Sequence, residues 1–285
     1  MTGLSGYWQE YWPRPAARNK HRKPHLMFPP ERIVCLTEET TETLYLLGEQ
    51  DRIVGISGYT VRPPEARKEK PRVSAFISAD IPKILALEPD LVLTFSDLQA
   101  DIVAALIRAG VTVHAFNQRT VSQILDMIEM LGALVGVPHK ASALVASLKA
   151  NLEATRSRGL ALPHRPTVYF EEWDQPMISG IAWVSELIEI AGGADIFPEL
   201  ASNKSAKDRI VSAEAVIARD PDIIVGSWCG KKFNAAKLAS RAGFDQIAAV
   251  RNNHLYEIKS PLILQPGPAA LGDGLAALET IIARK

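Results

Sequence analysis

The sequence has few of the residues from which disulfide frameworks and metal centres are built. Only two cysteines occur among 285 residues, Cys35 and Cys229, and neither stands in a CxxC spacing. This argues against a disulfide framework and a structural zinc site, although a single bridge stays open. The six histidines show no HxH or HExxH spacing, so no metal site made of histidines is predicted.

The chain also has neither an excess of charge nor a long hydrophobic run. Its 32 basic residues balance 32 acidic ones, so no global field favours nucleic acid as a partner. No apolar run reaches the roughly 18 residues of a transmembrane helix. In residues 1–30 the aromatics precede the basic cluster, which is not the order of a secretory signal. We therefore expect a cytoplasmic protein; a different true start would make it periplasmic or membrane-anchored.

What the sequence does contain is one pattern used twice. Short hydrophobic runs alternate with amphipathic segments, which predicts an α/β fold with largely parallel sheets covered by helices. The phrase LALEPDLVLTFSD at 85–97 returns as IARDPDIIVGSWCG at 217–230. Further pairs recur in the same order, namely Glu38 and Glu171, Gly48 and Gly192, and His114 and Glu257. These matches indicate two similarly built lobes.

The segment between the two halves is rich in alanine, leucine and charged residues, which predicts a long, stiff helix over 139–160. The expected organisation is an irregular arm (1–30), an N-terminal lobe (31–138), this interlobe helix and a C-terminal lobe (161–285). The arm either lies on the folded body or serves as a partner-binding tail. Two lobes held at a nearly fixed distance leave a cleft between them.

Residues that follow the predicted strands are expected to line this cleft, because ligands of open parallel sheets bind beyond the carboxyl ends of the strands. Aromatic residues make up only 7% of the chain, yet several fall at strand ends, which suits a flat or apolar ligand held by stacking. The candidate ligand-binding residues at these positions are Glu38, Tyr59, Phe95, Ser96, Glu172, Trp173, Trp228, Cys229, Lys231 and Lys259.

Several candidates also have a structural interpretation. Trp228 and Phe95 would serve equally as core residues at strand ends. The pairs Glu38-Glu39 and Glu171-Glu172 suit helix entries, where the helix dipole favours carboxylates, as well as an acid/base pair. Cys229 is either a nucleophile with a pKa lowered by the lysines after it, or a structural or ligand-facing thiol. The residues Lys204, Lys207, Arg209, Lys231 and Lys232 form either a solvated basic face or a site for an anionic group.

Four stretches, RIVCLTEETTETLYLLGEQDRIVGISGYTVRPPEAR, ILALEPDLVL, LIEIAGGADIF and VSAEAVIARDPDIIV, together resemble the class III periplasmic solute-binding proteins. These are helical-backbone metal-chelate receptors, and the similarity is greatest to the members that bind cobalamin. The resemblance covers residues from about 31 to 283. It implies two Rossmann-like lobes, a rigid interlobe helix, no built-in cofactor, and a metal chelate held in the cleft with little hinge motion. Relatives also carry siderophores and haem.

In the cobalamin-binding members, aromatic residues of both lobes enclose the corrin. The family's tyrosine after the second strand matches Tyr59, and two of its tryptophans fall on Phe76 and Phe95. A further tryptophan falls on Asp208, which implies a different ligand face there.

The same family docks onto a membrane permease through two surface glutamates. One of them matches Glu214, whereas the other falls on Pro82, with Asp80 nearby. The resemblance therefore implies an ABC permease as a partner through Glu214, with weakened docking on the other side. A monomer is expected.

The resulting hypothesis is a non-enzymatic binding protein for a cobalamin-like corrinoid or related metal chelate, of the ABC-transporter substrate-binding type. One alternative is a haem or ferric-siderophore binder. Others are a cytoplasmic enzyme using Glu171, Glu172 or Cys229, and a sensor acting through its N-terminal arm. The chain has no GxGxxG after its first strand and no GxxxxGK[ST], which counts against dinucleotide enzymes and P-loop NTPases.

Overall fold

The N-terminal half of the chain forms a fully parallel five-stranded sheet. The computed structural model describes residues 28–284, so most of the predicted arm lies outside the described residues. The strands are β1 (Ile33–Cys35), β2 (Ile53–Ser57), β3 (Arg72–Ser74), β4 (Leu91–Phe95) and β5 (Val113–Phe116), in the order β3-β2-β1-β4-β5. The helices are α1 (Glu38–Leu46), α2 (Ala66–Glu69), α3 (Ile81–Ala86), α4 (Ala100–Arg108) and α5 (Val121–Leu134).

A single helix, α6 (Pro138–Leu160), leads to a second sheet. That sheet contains β6 (Thr167–Asp174), β7 (Met177–Ser179), β8 (Ala194–Asp195), β9 (Ile223–Gly226) and β10 (Leu255–Glu257). Its order is β10-β9-β6-β7, and β8 also pairs with β6. The remaining helices are α7 (Ala182–Ile190), α8 (Pro198–Ala201), α9 (Ala213–Arg219), α10 (Ala235–Ala239), α11 (Ala248–Arg251), α12 (Ser260–Ile263) and α13 (Leu275–Ile282).

These two α/β lobes confirm the predicted fold class. The short strands β3, β7 and β8 were not predicted, and β7 alone of these pairs antiparallel, with β6. Strands of two or three residues have too short a pattern to be read from the sequence. Within residues 28–284 no helix combines the length and apolar character needed to cross a membrane.

Strict alternation in the strands explains why helices cover both faces of each sheet. In β1, Ile33 and Cys35 join the core between the lobes, whereas Val34 joins the core under α3 and α4. In β9, Ile223 joins the shared core and Ile224 packs under α9 and α10. Because successive side chains of a strand point to opposite faces, a fully apolar strand needs cover on both sides.

One hydrophobic core cluster extends through both lobes. It contains buried residues of both sheets and of α1, α5, α6, α7 and α13. The helices approach closely at two glycines: a Cβ on Gly132 would lie 2.2 Å from the Cβ of Ala141, and one on Gly159 would lie 2.8 Å from the backbone nitrogen of Gly192. The interlobe helix is therefore packed into both lobes and leaves the connection little freedom.

Replacing Gly132 with alanine is expected to lower the free energy of unfolding by about 1–3 kcal/mol, because the added methyl group forces α5 and α6 apart. Urea unfolding followed by tryptophan fluorescence measures this loss. Gly272→Ala is the matched control, since a Cβ there meets nothing within 4 Å. Equal stability of the two variants would contradict the close approach of α5 and α6.

The repeated Pro-Asp phrase anchors the first strand of each lobe. The Asp90 carboxylate accepts hydrogen bonds from the backbone nitrogens of Glu31 and Arg32, at 2.8 and 2.9 Å. The Asp222 carboxylate accepts from both the backbone nitrogen and the hydroxyl of Thr167, each at 3.0 Å. Both aspartates lie just before the starts of β4 and β9. The phrase thus fixes strand starts, at the sheet edge opposite to the predicted cleft.

Candidate functional site

Residues that follow strands of the first lobe contact the second lobe. The loop after β5 reaches the second lobe, where the backbone oxygen of Arg119 accepts from the nitrogen of Trp183 at 3.1 Å. Beside it, Gln118 Nε2 donates to the oxygen of Pro266 at 2.9 Å. Glu39, after β1, packs closely against Gly267 of the second lobe. These contacts hold the carboxyl edges of the two sheets close to each other, where the cleft is predicted.

The predicted site residues divide into three groups by exposure. Four are exposed at the strand ends and available to a ligand, namely Tyr59, Cys229, Lys231 and Lys259. Three are half-buried, namely Phe76, Glu172 and Trp173. Four are buried, namely Glu38, Phe95, Ser96 and Trp228. Their role in ligand binding stays a prediction, but Phe95, Ser96 and Trp228 also have identifiable structural partners.

Trp228 lies in the core of the second lobe. Its ring packs edge-on against Phe233 with centroids 5.0 Å apart, and its Nε1 donates to Glu171 Oε1 at 2.9 Å. Glu171 is fully buried and also accepts from Arg241 Nη2 at 2.9 Å and from the Tyr169 hydroxyl at 3.1 Å. Of the two interpretations open for Trp228, the structure favours the core residue. Glu171 is held as a buried structural anion.

Phe95 and Phe76 are positioned by one buried amide. Gln99, which is fully buried, accepts at Oε1 from the backbone nitrogen of Phe95 at 2.9 Å. Its Nε2 donates to the oxygens of Phe76 at 2.7 Å and Leu36 at 3.3 Å. One side chain thus ties together the ends of β1, β3 and β4. Ser96, at φ 61°, accepts from the nitrogen of Leu98 and caps the turn after β4.

The second lobe presents a buried ion pair at the cleft. Arg209 is 1% exposed, and its guanidinium donates to Glu172 Oε2 at 2.6 Å and to the oxygen of Ser179. Its Nε has no hydrogen-bond partner among the described residues. Arg209 was grouped with a basic stretch that suited either a solvated face or an anion site; burial excludes a solvated position for this residue.

A second arginine approaches from the first lobe. The Arg119 guanidinium lies 4.7 Å from the centroid of the Phe95 ring and 3.8 Å from an Asp97 oxygen. Burial, together with the nearby charge of Arg209, lowers the pKa of Arg119. Its Nε is also buried without a partner in residues 28–284. The guanidinium groups of Arg119 and Arg209, one from each lobe, are therefore close enough for their charges to interact.

Carboxylates line the first lobe at the start of α1. Glu38 and Glu39 are 6% and 1% exposed. Burial, reinforced by the neighbouring acids Glu39 and Glu42, raises the pKa of Glu38 to about 8, and burial raises that of Glu39 to about 7. One oxygen of each has no partner within the described part of the chain. Both lie in the first turn of α1, as one of the two interpretations predicts. Unlike most carboxylates at the start of a helix, they are removed from water.

The ring of Trp173 is covered by Lys231, which the buried carboxylate of Asp174 holds in place. Lys231 Nζ lies 4.1 Å from the Trp173 ring centroid and forms an ion pair with Asp174. Lys237 binds the other Asp174 oxygen at 2.7 Å. Asp174 is 5% exposed, and although burial opposes ionisation, the two lysines lower its pKa to about 2. One face of Trp173 is thus occupied by Lys231.

Cys229 is an exposed free thiol at the end of β9. Partial burial and the carboxylates of Glu172 and Glu38 raise its pKa, whereas the nucleophile interpretation required a lowered pKa. Of the lysines that follow it, Lys231 is bound to Asp174 rather than to the thiol. The structure therefore favours a ligand-facing thiol over an activated nucleophile.

The two predicted docking residues occupy equivalent helix starts. Asp80 caps α3 by accepting from the nitrogen of Lys83 at 3.0 Å, and the cap of α9 is Ser212, two residues before Glu214. Both acids are exposed. Their contact with a permease stays a prediction. Among residues 28–284, no group of three or more His, Cys, Asp or Glu side chains is arranged to hold a metal ion.

Sequence reasoning missed the residues that position this site. Arg119 and Gln99 were not singled out, and Arg241 was not paired with Glu171. The sequence contains only weak evidence for them. Arg119 follows a strand, as the candidate ligand-binding residues do. Arg241 lies in a predicted amphipathic helix, where an arginine is normally solvated. The structural role of Arg241 becomes recognisable only when the buried carboxylate of Glu171 is known to face it.

Comparisons with known proteins agree with this architecture. A family model described as periplasmic binding protein matches residues 33–262. The vitamin B12-binding protein of Vibrio cholerae is 28% identical over 248 residues, which cover 86% of each chain. The crystal structure of the periplasmic vitamin B12 binding protein of Vibrio cholerae matches with a TM-score of 0.72 at 26% identity, over 90% of this chain and 99% of that one.

An uncharacterized ABC transporter substrate-binding lipoprotein of Bacillus subtilis is 27% identical over 252 residues, which cover 84% of this chain and 76% of that protein. The periplasmic and lipoprotein relatives show that the predicted cytoplasmic location was wrong. That prediction relied on the order of aromatic and basic residues in a short N-terminal segment, whereas the folded body carries the family's features. Since the family model matches most of its length, the chain belongs to the periplasmic binding protein family.

Proposed function

We propose that this protein is the substrate-binding component of an ABC importer and holds a cobalamin-like metal chelate between its lobes. The observation that carries the proposal is the exposed apolar surface at the cleft edge of the first lobe. Tyr59 is 57% exposed, Ile77 is 70% exposed and Leu98 is 59% exposed, and each follows a different strand of one sheet. A broad, partly apolar ligand suits such a surface.

The polar groups around this surface also suit a ligand rich in amides. At the strand ends, Gln118 Oε1, Ser227 Oγ and Glu38 Oε2 are buried oxygens without a partner in the described residues. The Nε atoms of Arg119 and Arg209 are buried donors without one. Buried polar groups are nearly always satisfied, so a bound molecule offering both donors and acceptors fits this edge. The amide side chains at the periphery of a corrin supply both.

We also propose that the cleft binds without catalysis. The two carboxylates that could act as acid or base are already bound by other residues, and the thiol that could act as a nucleophile is not activated. Glu171 is bound by Arg241, Tyr169 and Trp228, Glu172 is bound by Arg209, and the pKa of Cys229 is raised. None of these arrangements supplies an activated nucleophile next to a free base.

Titration of the purified protein with cobalamin tests the proposal, with haem and a ferric siderophore as competing ligands. We expect saturable one-to-one binding of cobalamin at micromolar concentration or below, seen in the chelate absorbance and by calorimetry. Tighter binding of haem or the siderophore would assign the cleft to that chelate instead. Failure of all three to bind would overturn the proposal.

Replacing Tyr59 with alanine is expected to weaken cobalamin binding roughly 5- to 30-fold, because the loss of a stacking ring removes about 1–2 kcal/mol. Tyr59→Phe keeps the ring and is expected to keep most of the affinity. As a control, Leu160→Ala removes an apolar side chain that is 81% exposed at the end of α6 and is expected to leave the affinity unchanged. Unchanged affinity in Tyr59→Ala would show that this ring does not contact the ligand.

A further inference from the structure

A cavity of about 520 Å³ lies at the carboxyl ends of β9 and β10, one residue beyond Cys229. Its apolar wall is formed by Trp228, Ile258 and Pro261. Gly230, with a φ of +75° and open space around its Cα, allows the chain to turn away at this point. The cavity therefore opens beside the cleft but belongs entirely to the second lobe.

The charge around this cavity is strongly positive. Lys231, Lys232 and Lys259 line it, and the only acid among its lining residues is Glu257. Glu257 Oε1 accepts a hydrogen bond from the backbone nitrogen of Phe233 at 3.0 Å, so that oxygen is already engaged. Neither Lys232 nor Lys259 forms an ion pair with any of residues 28–284. Among the described residues, Lys232 and Lys259 are thus not held by a carboxylate, and the cavity keeps a net positive charge although Glu257 also lines it.

The third lysine is fixed in place. Lys231 is paired with the buried Asp174 and lies over the rings of Trp173, at 4.1 Å, and Trp228, at 5.2 Å. Lys237 supplies Asp174 with a second cation at 2.7 Å. The four lysines in this region, Lys231, Lys232, Lys237 and Lys259, therefore exceed the combined charge of Asp174 and Glu257. An oxyanion entering the cavity would meet uncompensated positive charge in a partly apolar wall, where electrostatic attraction is stronger than in water.

We propose that this lysine-lined cavity binds an anionic appendage of the chelate, a phosphodiester or carboxylate carried outside its metal-binding ring. The inference rests on the proposed function and refines it, because it assigns the ring and the anionic group of the ligand to different surfaces of the protein. The ring lies against the exposed surface around Tyr59, and the anionic group lies against Lys232 and Lys259. In cobalamin, the phosphodiester of the nucleotide loop is the group of this class.

The test compares cobalamin with cobinamide, which has the same corrin ring but lacks the nucleotide loop and its phosphate. Both are titrated into the unaltered protein and into Lys232→Gln/Lys259→Gln. We expect the double variant to lose roughly five- to tenfold in affinity for cobalamin and to bind cobinamide as before. The cobalamin affinity of the unaltered protein is expected to fall with added salt more steeply than that of the variant.

A matched double variant, Lys68→Gln/Lys149→Gln, removes two exposed lysines from α2 and α6 and controls for the change in net charge. Inorganic phosphate is added as a competitor, and weakening of cobalamin but not of cobinamide binding supports the anion site. Equal loss for both corrinoids, or no loss for cobalamin, would overturn the inference while leaving the proposed function intact. If the unaltered protein binds neither corrinoid, both proposals fall.

Discussion

Replacing Arg241 with methionine is expected to lower the free energy of unfolding by about 3–5 kcal/mol, because it leaves the buried carboxylate of Glu171 without its counter-ion. Glu171 is fully buried, and the two guanidinium nitrogens of Arg241 bind its oxygens at 2.5 and 2.9 Å. The remaining donors, from Tyr169 and Trp228, are neutral and cannot replace the charge. Urea unfolding at neutral pH measures the loss.

Two further variants separate this effect from a general loss of packing. Arg156→Met removes an arginine whose distance to Glu153 is 3.7 Å and whose side chain is 48% exposed, and is expected to change the free energy of unfolding by less than about 1 kcal/mol. Adding Glu171→Gln to Arg241→Met removes the unpaired charge and is expected to restore part of the stability. No recovery in the double variant would contradict the role assigned to the buried charge.

Replacing Glu38 with glutamine is expected to stabilise the protein at alkaline pH and to leave it unchanged near pH 4. The pKa of Glu38 is raised from 4.5 to about 8 in the fold. Between these values the unfolded chain has released the proton and the folded protein still holds it, so the free energy of unfolding falls as the pH rises. A shift of this size corresponds to on the order of 5 kcal/mol above pH 8.

Urea unfolding of both proteins from pH 4.5 to pH 9 measures the difference in stability as a function of pH. The difference should grow from near zero to several kcal/mol across this range, and its midpoint should lie between the unfolded and folded pKa values of Glu38. Glu153→Gln, at a side chain that is 73% exposed, is expected to leave the pH profile unchanged. A difference that does not vary with pH would show that Glu38 ionises as freely in the fold as in the unfolded chain.

The paired architecture was predictable because it depends on patterns that repeat along the chain. Apolar runs such as Leu91–Phe95 and Ile223–Gly226 are strands in the structure, and the amphipathic segment after the first of them is α4, with Ile102 and Leu106 buried. Each pattern reflects local geometry, in which strand side chains alternate and helix side chains repeat every 3.6 residues.

The candidate site was predictable only in outline. That strand ends carry the ligand surface follows from topology, and Tyr59 and Cys229 are indeed exposed there. Whether a given side chain at an end turns outward depends on partners distant in the sequence. Trp228 turns inward because Glu171 offers it an acceptor 57 residues away, and Arg209 is buried because Glu172 and Ser179 receive its guanidinium. No local pattern in the sequence contains those pairings.

Asp90 and Asp222 anchor β1 and β6 at the amino ends of the strands, whereas the ligand is expected to bind at their carboxyl ends. The residues that stabilise the sheets are therefore different from those that determine which ligand binds. The register of each sheet is fixed at one edge, so the chain that emerges at the other edge can change in length and chemistry without loosening the strands. The tips after the repeated phrase, FSD in one lobe and SWCGKK in the other, already differ in this way. The same two helix–turn–strand segments can therefore serve chelates of different size and charge when only the residues after β4 and β9 change.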